Sequence, residues 1–196
     1  MTLPALDKNY WNDRYLNRDA AWDIGYPSGP LKGYIDRLTD KNTKILIPGA
    51  GNAYEAEYLW NQGFTNTYVM DIAPVALEQF HQRVSAFPEK QLICDDFFTH
   101  AETYDLILEQ TFFCAIDPAI RPAYARKMAE LLNPGGKLAG VLFNDALNTD
   151  KPPFGGSPAE YEPYFKPYFN FGVWESCRNS IGPREGREWF MVLSKK

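Results

Sequence analysis

The strongest constraint on what this chain can fold into lies between Lys44 and Asp71. An apolar run, Lys44-Ile45-Leu46-Ile47-Pro48, meets the turn Gly49-Ala50-Gly51-Asn52-Ala53; after a helical segment, Thr67-Tyr68-Val69-Met70 ends on Asp71. Buried strand, small-residue turn, helix and a second strand closing on a carboxylate make a βαβ unit suited to a nucleoside. Glycine suits the turn because, without a Cβ, it accepts positive φ and lets a ligand come close to the backbone. A carboxylate roughly 20 residues on can accept hydrogen bonds from both ribose hydroxyls. Gly-x-Gly turns also close ordinary αβ units, so the ligand reading depends on the flanking signals.

Those signals continue the alternation. Apolar runs predict strands at 44–48, 67–71, 91–94, 104–108 and 137–143. Helical spacing predicts helices at 31–38, 54–61, from Pro74 onward and at 118–132, with Gly63 closing the second and Pro74 opening the third. Asn133-Pro134-Gly135-Gly136 reads as a turn, 144–158 as a long loop and 158–165 as a short helix. The segments 169–180 and 187–193 flank Gly182-Pro183-Arg184-Glu185-Gly186 as a hairpin. The expectation is an α/β, Rossmann-like doubly wound sheet of seven strands, mostly parallel with an antiparallel C-terminal hairpin strand, in a single domain over residues 1–196. Such sheets bind ligands beyond the carboxyl ends of their strands, where Gly49 to Ala53, Asp71, Asp95 to Phe98, and Glu109 to Thr111 all fall.

Composition narrows the ligand. A net charge of -5 with no Lys/Arg run lacks the electrostatic footprint of a nucleic-acid binder and points to a small-molecule partner. No basic stretch precedes an apolar one at the N-terminus, and no apolar run approaches a membrane span, so no membrane partner and a cytoplasmic location are expected. Cys94, Cys114 and Cys177 are odd in number and lack a Cys-x-x-Cys pair, which argues against a disulfide framework or a metal site and for buried reduced thiols. His81 and His100 lack ligand spacing and read as surface residues; Asp105, at the amino end of its strand, reads as structural.

Residues 7–30 carry Trp11, Tyr15 and Trp22 at intervals of four and seven among many charged and amide side chains. Such a polar segment makes a poor core element, so its aromatics are expected to close over something as a lid. A dinucleotide-binding fold would ask for a third glycine in the turn, and a terminal hairpin also departs from that fold.

The string Thr103-Tyr-Asp-Leu-Ile-Leu-Glu-Gln-Thr-Phe-Phe-Cys-Ala-Ile-Asp-Pro, followed by Arg121-Pro-Ala-Tyr-Ala-Arg-Lys-Met-Ala-Glu-Leu-Leu, resembles the thiopurine S-methyltransferase family, most of all its halide and thiol methyltransferase branch. Pro48-Gly49-Ala50-Gly51, Asp95-Asp96-Phe97-Phe98, the lid aromatics and Ile181-Gly-Pro-Arg-Glu-Gly-Arg-Glu188 are also similar to that branch, and the resemblance spans nearly the whole chain. It implies a class I methyltransferase using S-adenosylmethionine. It further implies cofactor contacts at Trp11, Tyr15 and Trp22 in the lid, at Gly49 and Gly51 under the methionyl portion, and at Asp71 on the ribose. Asp96 and Phe97 would face the adenine, and Glu109 the amino acid end or the ribose. Tyr15 stands where a second tryptophan is usual, Ala50 where cysteine is frequent and Glu109 where aspartate is common, swaps that bear on the methyl acceptor more than on the cofactor.

The acceptor implied is a small soft nucleophile, namely a thiol, bisulfide, thiocyanate, halide or thiopurine, attacking in line and needing no catalytic base. Phe143 and Arg184 are candidates for its pocket. Arg121, a cation at a helix start where the dipole disfavours it, is either a third or a solvated surface residue. An NAD-dependent oxidoreductase and a non-catalytic S-adenosylmethionine-binding protein are the alternatives, and a monomer is the favoured state.

Overall fold

The computed structural model describes residues 3–196. Helix α1 (Lys8–Leu16) and α2 (Gly29–Ile35) precede the sheet; β1 (Ile45–Pro48), α3 (Tyr54–Asn61), β2 (Thr67–Asp71), α4 (Pro74–Arg83) and β3 (Leu92–Cys94) follow in strict alternation. Then come β4 (Tyr104–Gln110), α5 (Arg121–Glu130), β5 (Leu132–Phe143), α6 (Pro158–Phe165), β6 (Phe169–Ser176) and β7 (Glu188–Lys195). The strands form one sheet in the order β3-β2-β1-β4-β5-β7-β6. Pairs from β3 through to β5 are parallel, whereas β7 runs antiparallel to both β5 and β6. The chain order reverses between β1 and β4, and that switch point is where a crevice opens.

Each strand face meets a different helical layer. Leu46, Ile107, Leu138 and Met191 point to one side, packed with Tyr124 and Met128 of α5 and Phe165 of α6. Ile45, Ile47, Leu106, Leu108 and Val141 point to the other, against Leu31, Ile35, Leu59 and Phe80 of α2, α3 and α4. Burial on both faces explains why these strands read as apolar runs, each such side chain contributing about 1.5–3 kcal/mol. Local signals place the helix ends: proline opens α4 and α6, the Ser157 side chain caps α6, and Gly63 at φ +86° follows α3.

Several expectations shift. The Asn133–Gly136 turn is absorbed into β5 as a bulge, since Tyr104 pairs with Leu132 and Leu106 already with Lys137. The predicted helix over 118–132 divides into a 3-10 turn, Pro118–Ile120, and α5. Strand β4 runs two residues further than 104–108, which brings Glu109 inside the sheet. His100 is not at the surface: it is buried, with Nε2 2.8 Å from the Tyr104 hydroxyl. Of the three thiols, Cys114 is buried, Cys177 half-buried and Cys94 exposed, because Cys94 ends a short edge strand. Asp105 is structural, accepting from the Lys44 amide and the Asn133 side chain. Among the described residues no helix is long and apolar enough to cross a membrane.

Candidate functional site

A cavity of about 990 Å³ opens at the switch point, beyond the carboxyl ends of β1, β2 and β4. Gly49, Asp71, Asp96, Phe97 and Phe112 form its inner wall, Trp11, Tyr15 and Trp22 its roof, and Ile116, Phe143, Leu147, Pro152, Pro153 and Arg184 the opposite side. A smaller space of about 60 Å³ continues over the glycine turn, between Gly51, Gln110 and residues 22–26; Gly49, Trp22, Thr111 and Arg184 border both.

The glycine turn is held by the acid at the end of β2. Asp71 is 5% exposed; Oδ2 accepts from the Gly51 amide and Oδ1 from the Ala73 amide, each at 2.8 Å. Burial raises its pKa, and the amides of Ala73, Gly51 and Ile72 oppose that rise. A carboxylate offers about four acceptor sites, so two remain for hydroxyls arriving from the cavity. Gly49 and Gly51 have φ of +57° and +52°, and a Cβ on them would lie 2.4 Å from the Phe112 ring and 2.6 Å from the Tyr15 hydroxyl. Ala53, the last residue of the turn, sits at φ +51° as the residue that caps the start of α3.

Helix α1, capped at its start by the Asp7 side chain on the Tyr10 amide, carries Trp11 and Tyr15 of the roof, and the turn that follows it carries Trp22. Trp22 meets Trp11 and Tyr15 edge-on, with centroids 5.7 and 5.8 Å apart, and the Arg14 guanidinium lies 4.9 Å from the Trp22 ring. Hydrogen bonds tie this segment to the body: the Val75 amide donates to Asn12 Oδ1, the Asn52 side-chain amide and the Tyr54 hydroxyl to Asp23 Oδ2, the Ser28 amide to Glu55 Oε1, and Arg184 Nη2 to the Trp22 carbonyl. Arg184 also lies 3.5 Å from Glu188 Oε1 and 5.7 Å from the Phe143 ring centroid. On the inner wall, Asp96 is exposed and accepts from the Phe98 amide, while Phe97 packs edge-on against Phe112 at 5.1 Å.

Two residues expected at the site face elsewhere. Glu109 has no exposed surface and borders neither space; its Oε1 accepts from the amides of Phe112 and Phe113 at 2.8 and 3.0 Å. Burial pushes its pKa up to about 7, against the pull of those amides and of Arg121. The reason is the longer β4, whose alternation turns Glu109 toward the α5 layer and Gln110 toward the smaller space. Arg121, 1% exposed, donates to the carbonyls of Gly155 and Phe154 at 3.0 and 3.1 Å, so it is neither solvated nor in the cavity. Thr111, expected at the carboxyl end of its strand, borders the cavity; sequence reasoning did not single out Arg14 or Phe112, and read Cys114 only as a buried thiol, yet all three border it too. The apolar stretch after β4 was the available signal for Phe112 and Cys114. Burial and the nearby Glu109 push the Cys114 thiol up to about 12, which leaves it neutral.

A ribose-type carboxylate with spare acceptor sites, a turn whose Cβ positions are filled by neighbouring rings, and an adjoining space with the unpartnered Gln110 Oε1 fit an adenosine bearing an amino acid tail. The thiopurine S-methyltransferase family model matches residues 6–191. The chain belongs to the thiopurine S-methyltransferase family. As a member it is an S-adenosylmethionine-dependent methyltransferase. It is 31% identical over 185 residues to a probable thiol methyltransferase 2 of Arabidopsis thaliana, covering 91% of this chain and 81% of that protein. It is 27% identical over 192 residues to thiocyanate methyltransferase 1 of Brassica oleracea, covering 94% and 84%. The fold is similar to that of the N-methyltransferase NodS from Bradyrhizobium japonicum WM9, solved in complex with S-adenosyl-L-homocysteine, with a TM-score of 0.71, 15% identity and coverage of 96% and 97%. Membership in this methyltransferase family leaves the NAD-dependent oxidoreductase alternative without support.

Proposed function

We propose that this methyltransferase acts on a small soft nucleophile (a thiol, bisulfide, thiocyanate or halide, with thiopurines in the same class). The observation that carries this reading is the apolar far side of the cavity, Ile116, Phe143, Leu147, Pro152 and Pro153, with the Arg184 cation at its edge. Relatives named as thiol and thiocyanate methyltransferases support the same acceptor class. In this reading the chain is a single domain acting as a monomer in the cytoplasm, and residues 7–30 are its lid.

The residues take the following parts. Asp71 holds the ribose, Asp96 and Phe97 take the adenine edge and face, and Gly49 and Gly51 lie under the methionyl chain. Trp11, Tyr15 and Trp22 close above the cofactor. Phe143 and Arg184 border the acceptor. When bound, S-adenosylmethionine supplies a methyl group on a positively charged sulfur, open to in-line displacement. Ring faces in the roof attract that positive charge. No histidine borders the cavity among the described residues, and a soft anion needs no base. A thiol with a reference pKa near 8.5 is partly ionised at neutral pH, and the Arg184 guanidinium favours its thiolate. Most of the acceleration comes from holding the reactants in line away from water, an effect worth up to about 7–11 kcal/mol.

A panel of hydrosulfide, thiocyanate, iodide, thiophenol and a thiopurine, assayed for S-adenosylhomocysteine release, tests the reading. At least one acceptor is expected to turn over. Stabilisation by S-adenosylhomocysteine without turnover of any of them would favour the non-catalytic binding protein.

A further inference from the structure

Phe113 stands where three buried polar groups converge. Its amide donates to Glu109 Oε1 at 3.0 Å, its ring lies 4.5 Å from the Arg121 guanidinium carbon, and its centroid is 5.2 Å from that of Tyr124. Glu109 Oε2, Arg121 Nε and the Tyr124 hydroxyl are all buried with no hydrogen-bond partner among the described residues. The groups sense one another: Arg121 pulls the Glu109 pKa down against its burial, and the Glu109 charge adds to the burial that raises Tyr124. None of the three borders the cavity.

What they hold does border it. Glu109 Oε1 also takes the Phe112 amide at 2.8 Å, and the Phe112 ring is the wall that packs on Phe97 and would meet a Cβ at Gly49. Arg121 grips the carbonyls of Phe154 and Gly155, the end of the loop that presents Leu147, Pro152 and Pro153 on the opposite side. A charge buried this deeply is costly unless matched, and Arg121 offsets only part of the cost of burying the Glu109 carboxyl.

We propose that Glu109 and Arg121 are positioning residues: a buried carboxylate and guanidinium around Phe113 that fix the two opposite walls of the cavity, and so the acceptor's fit, without touching acceptor or cofactor. In its consequence for the acceptor, this rests on the methyltransferase reading above. The guanidinium is suited to the task because its planar fork reaches two carbonyls while stacking on Phe113, and also on Tyr161 at 5.3 Å; a lysine ammonium does neither well.

The test uses amide hydrogen exchange, calorimetric binding of S-adenosylhomocysteine and acceptor kinetics on the full chain, comparing Glu109→Gln, Arg121→Lys and Arg121→Met. The double variant Glu109→Gln/Arg121→Met removes both charges and guards against a fold lost to one unpaired charge. Exchange at the Phe112 and Phe113 amides should quicken at least tenfold in Glu109→Gln, and at the Phe154 amide in both Arg121 variants, while core strand amides stay within threefold. The acceptor KM should rise about tenfold in Arg121→Lys and in the double variant, with S-adenosylhomocysteine affinity within threefold. Wild-type KM in Arg121→Lys would show that charge alone matters and would overturn the proposal. Exchange quickened evenly across the sheet, or unchanged at the named amides, would overturn it as well. The exchange readout stands even if every acceptor in the panel fails, so the two readings can fail separately.

Discussion

Arg184 Nη2 donates to the carbonyl of Trp22 at 2.7 Å, joining the turn before the last strand to the roof of the cavity across 162 residues of sequence. The bond lies where the two spaces meet, since both residues border each of them. Replacing Arg184 with Met keeps bulk but removes this donor and the pairing with Glu188. A charge-assisted bond is worth about 1.5–3 kcal/mol, so S-adenosylhomocysteine should bind on the order of tenfold more weakly, with faster dissociation, by stopped-flow Trp fluorescence. Unchanged dissociation would mean that the roof is held without Arg184.

Asp71 does two things at once: it pins the glycine turn through the Gly51 amide and leaves acceptor sites facing the cavity. Asp71→Ala should weaken S-adenosylhomocysteine binding by roughly a hundredfold, the loss of charged hydrogen bonds worth about 1.5–3 kcal/mol each. Calorimetry with S-adenosylhomocysteine checks this. Affinity within twofold of wild type would refute the ribose assignment.

Burial holds the Glu109 pKa at about 7, above the carboxyl's unfolded value near 4.5. A raised carboxyl pKa means that the native state keeps its proton after the unfolded chain has lost it. The stability this gives is therefore full below about pH 4.5 and is lost as pH rises to about 7. The groups facing Glu109 are Arg121, which favours its charge, and the neutral Tyr124 and Cys114, whose own pKa values it helps raise. Glu109→Gln removes the titration, so its urea-derived stability relative to wild type should rise between pH 5 and pH 8 by a few kcal/mol, on the order of 3. A relative stability that falls over that range would contradict the assignment.

Gly51 is squeezed between a left-handed backbone and the Tyr15 hydroxyl, 2.6 Å from where a Cβ would stand. Gly51→Ala should cost about 1–3 kcal/mol by thermal unfolding. In a Tyr15→Phe background the steric part is relieved, so the same change should cost less. An equal cost in both backgrounds would mean that the roof does not rest on the turn.

The sheet was legible because its signals are local. Apolar runs long enough for doubly buried strands, Gly63 after α3 and prolines at the starts of α4 and α6 each act within a few residues. The inner wall was legible for a related reason: Asp71 and Phe97 stand just after strand ends, and topology sends strand ends to the switch point. Glu109 was misplaced because strand length decides which face a residue takes, and β4 continues to Gln110 through residues of polar character. Arg121 was ambiguous because the carbonyls that satisfy it lie 33 and 34 positions away, in a loop without periodic pattern. His100 looked superficial for a different reason: its partner Tyr104 is only four positions on, but its burial depends on β4 being folded against the helical layer.

The most direct test of the central reading is a single-turnover experiment with methyl-labelled S-adenosylmethionine and excess thiophenol or hydrosulfide, following both products by mass spectrometry. Labelled methyl thioether or methanethiol is expected in a one-to-one ratio with S-adenosylhomocysteine in the wild type, with a loss of at least tenfold in rate at subsaturating cofactor in Asp71→Ala. S-adenosylhomocysteine appearing without a methylated sulfur product, or an Asp71→Ala rate equal to wild type, would contradict that reading.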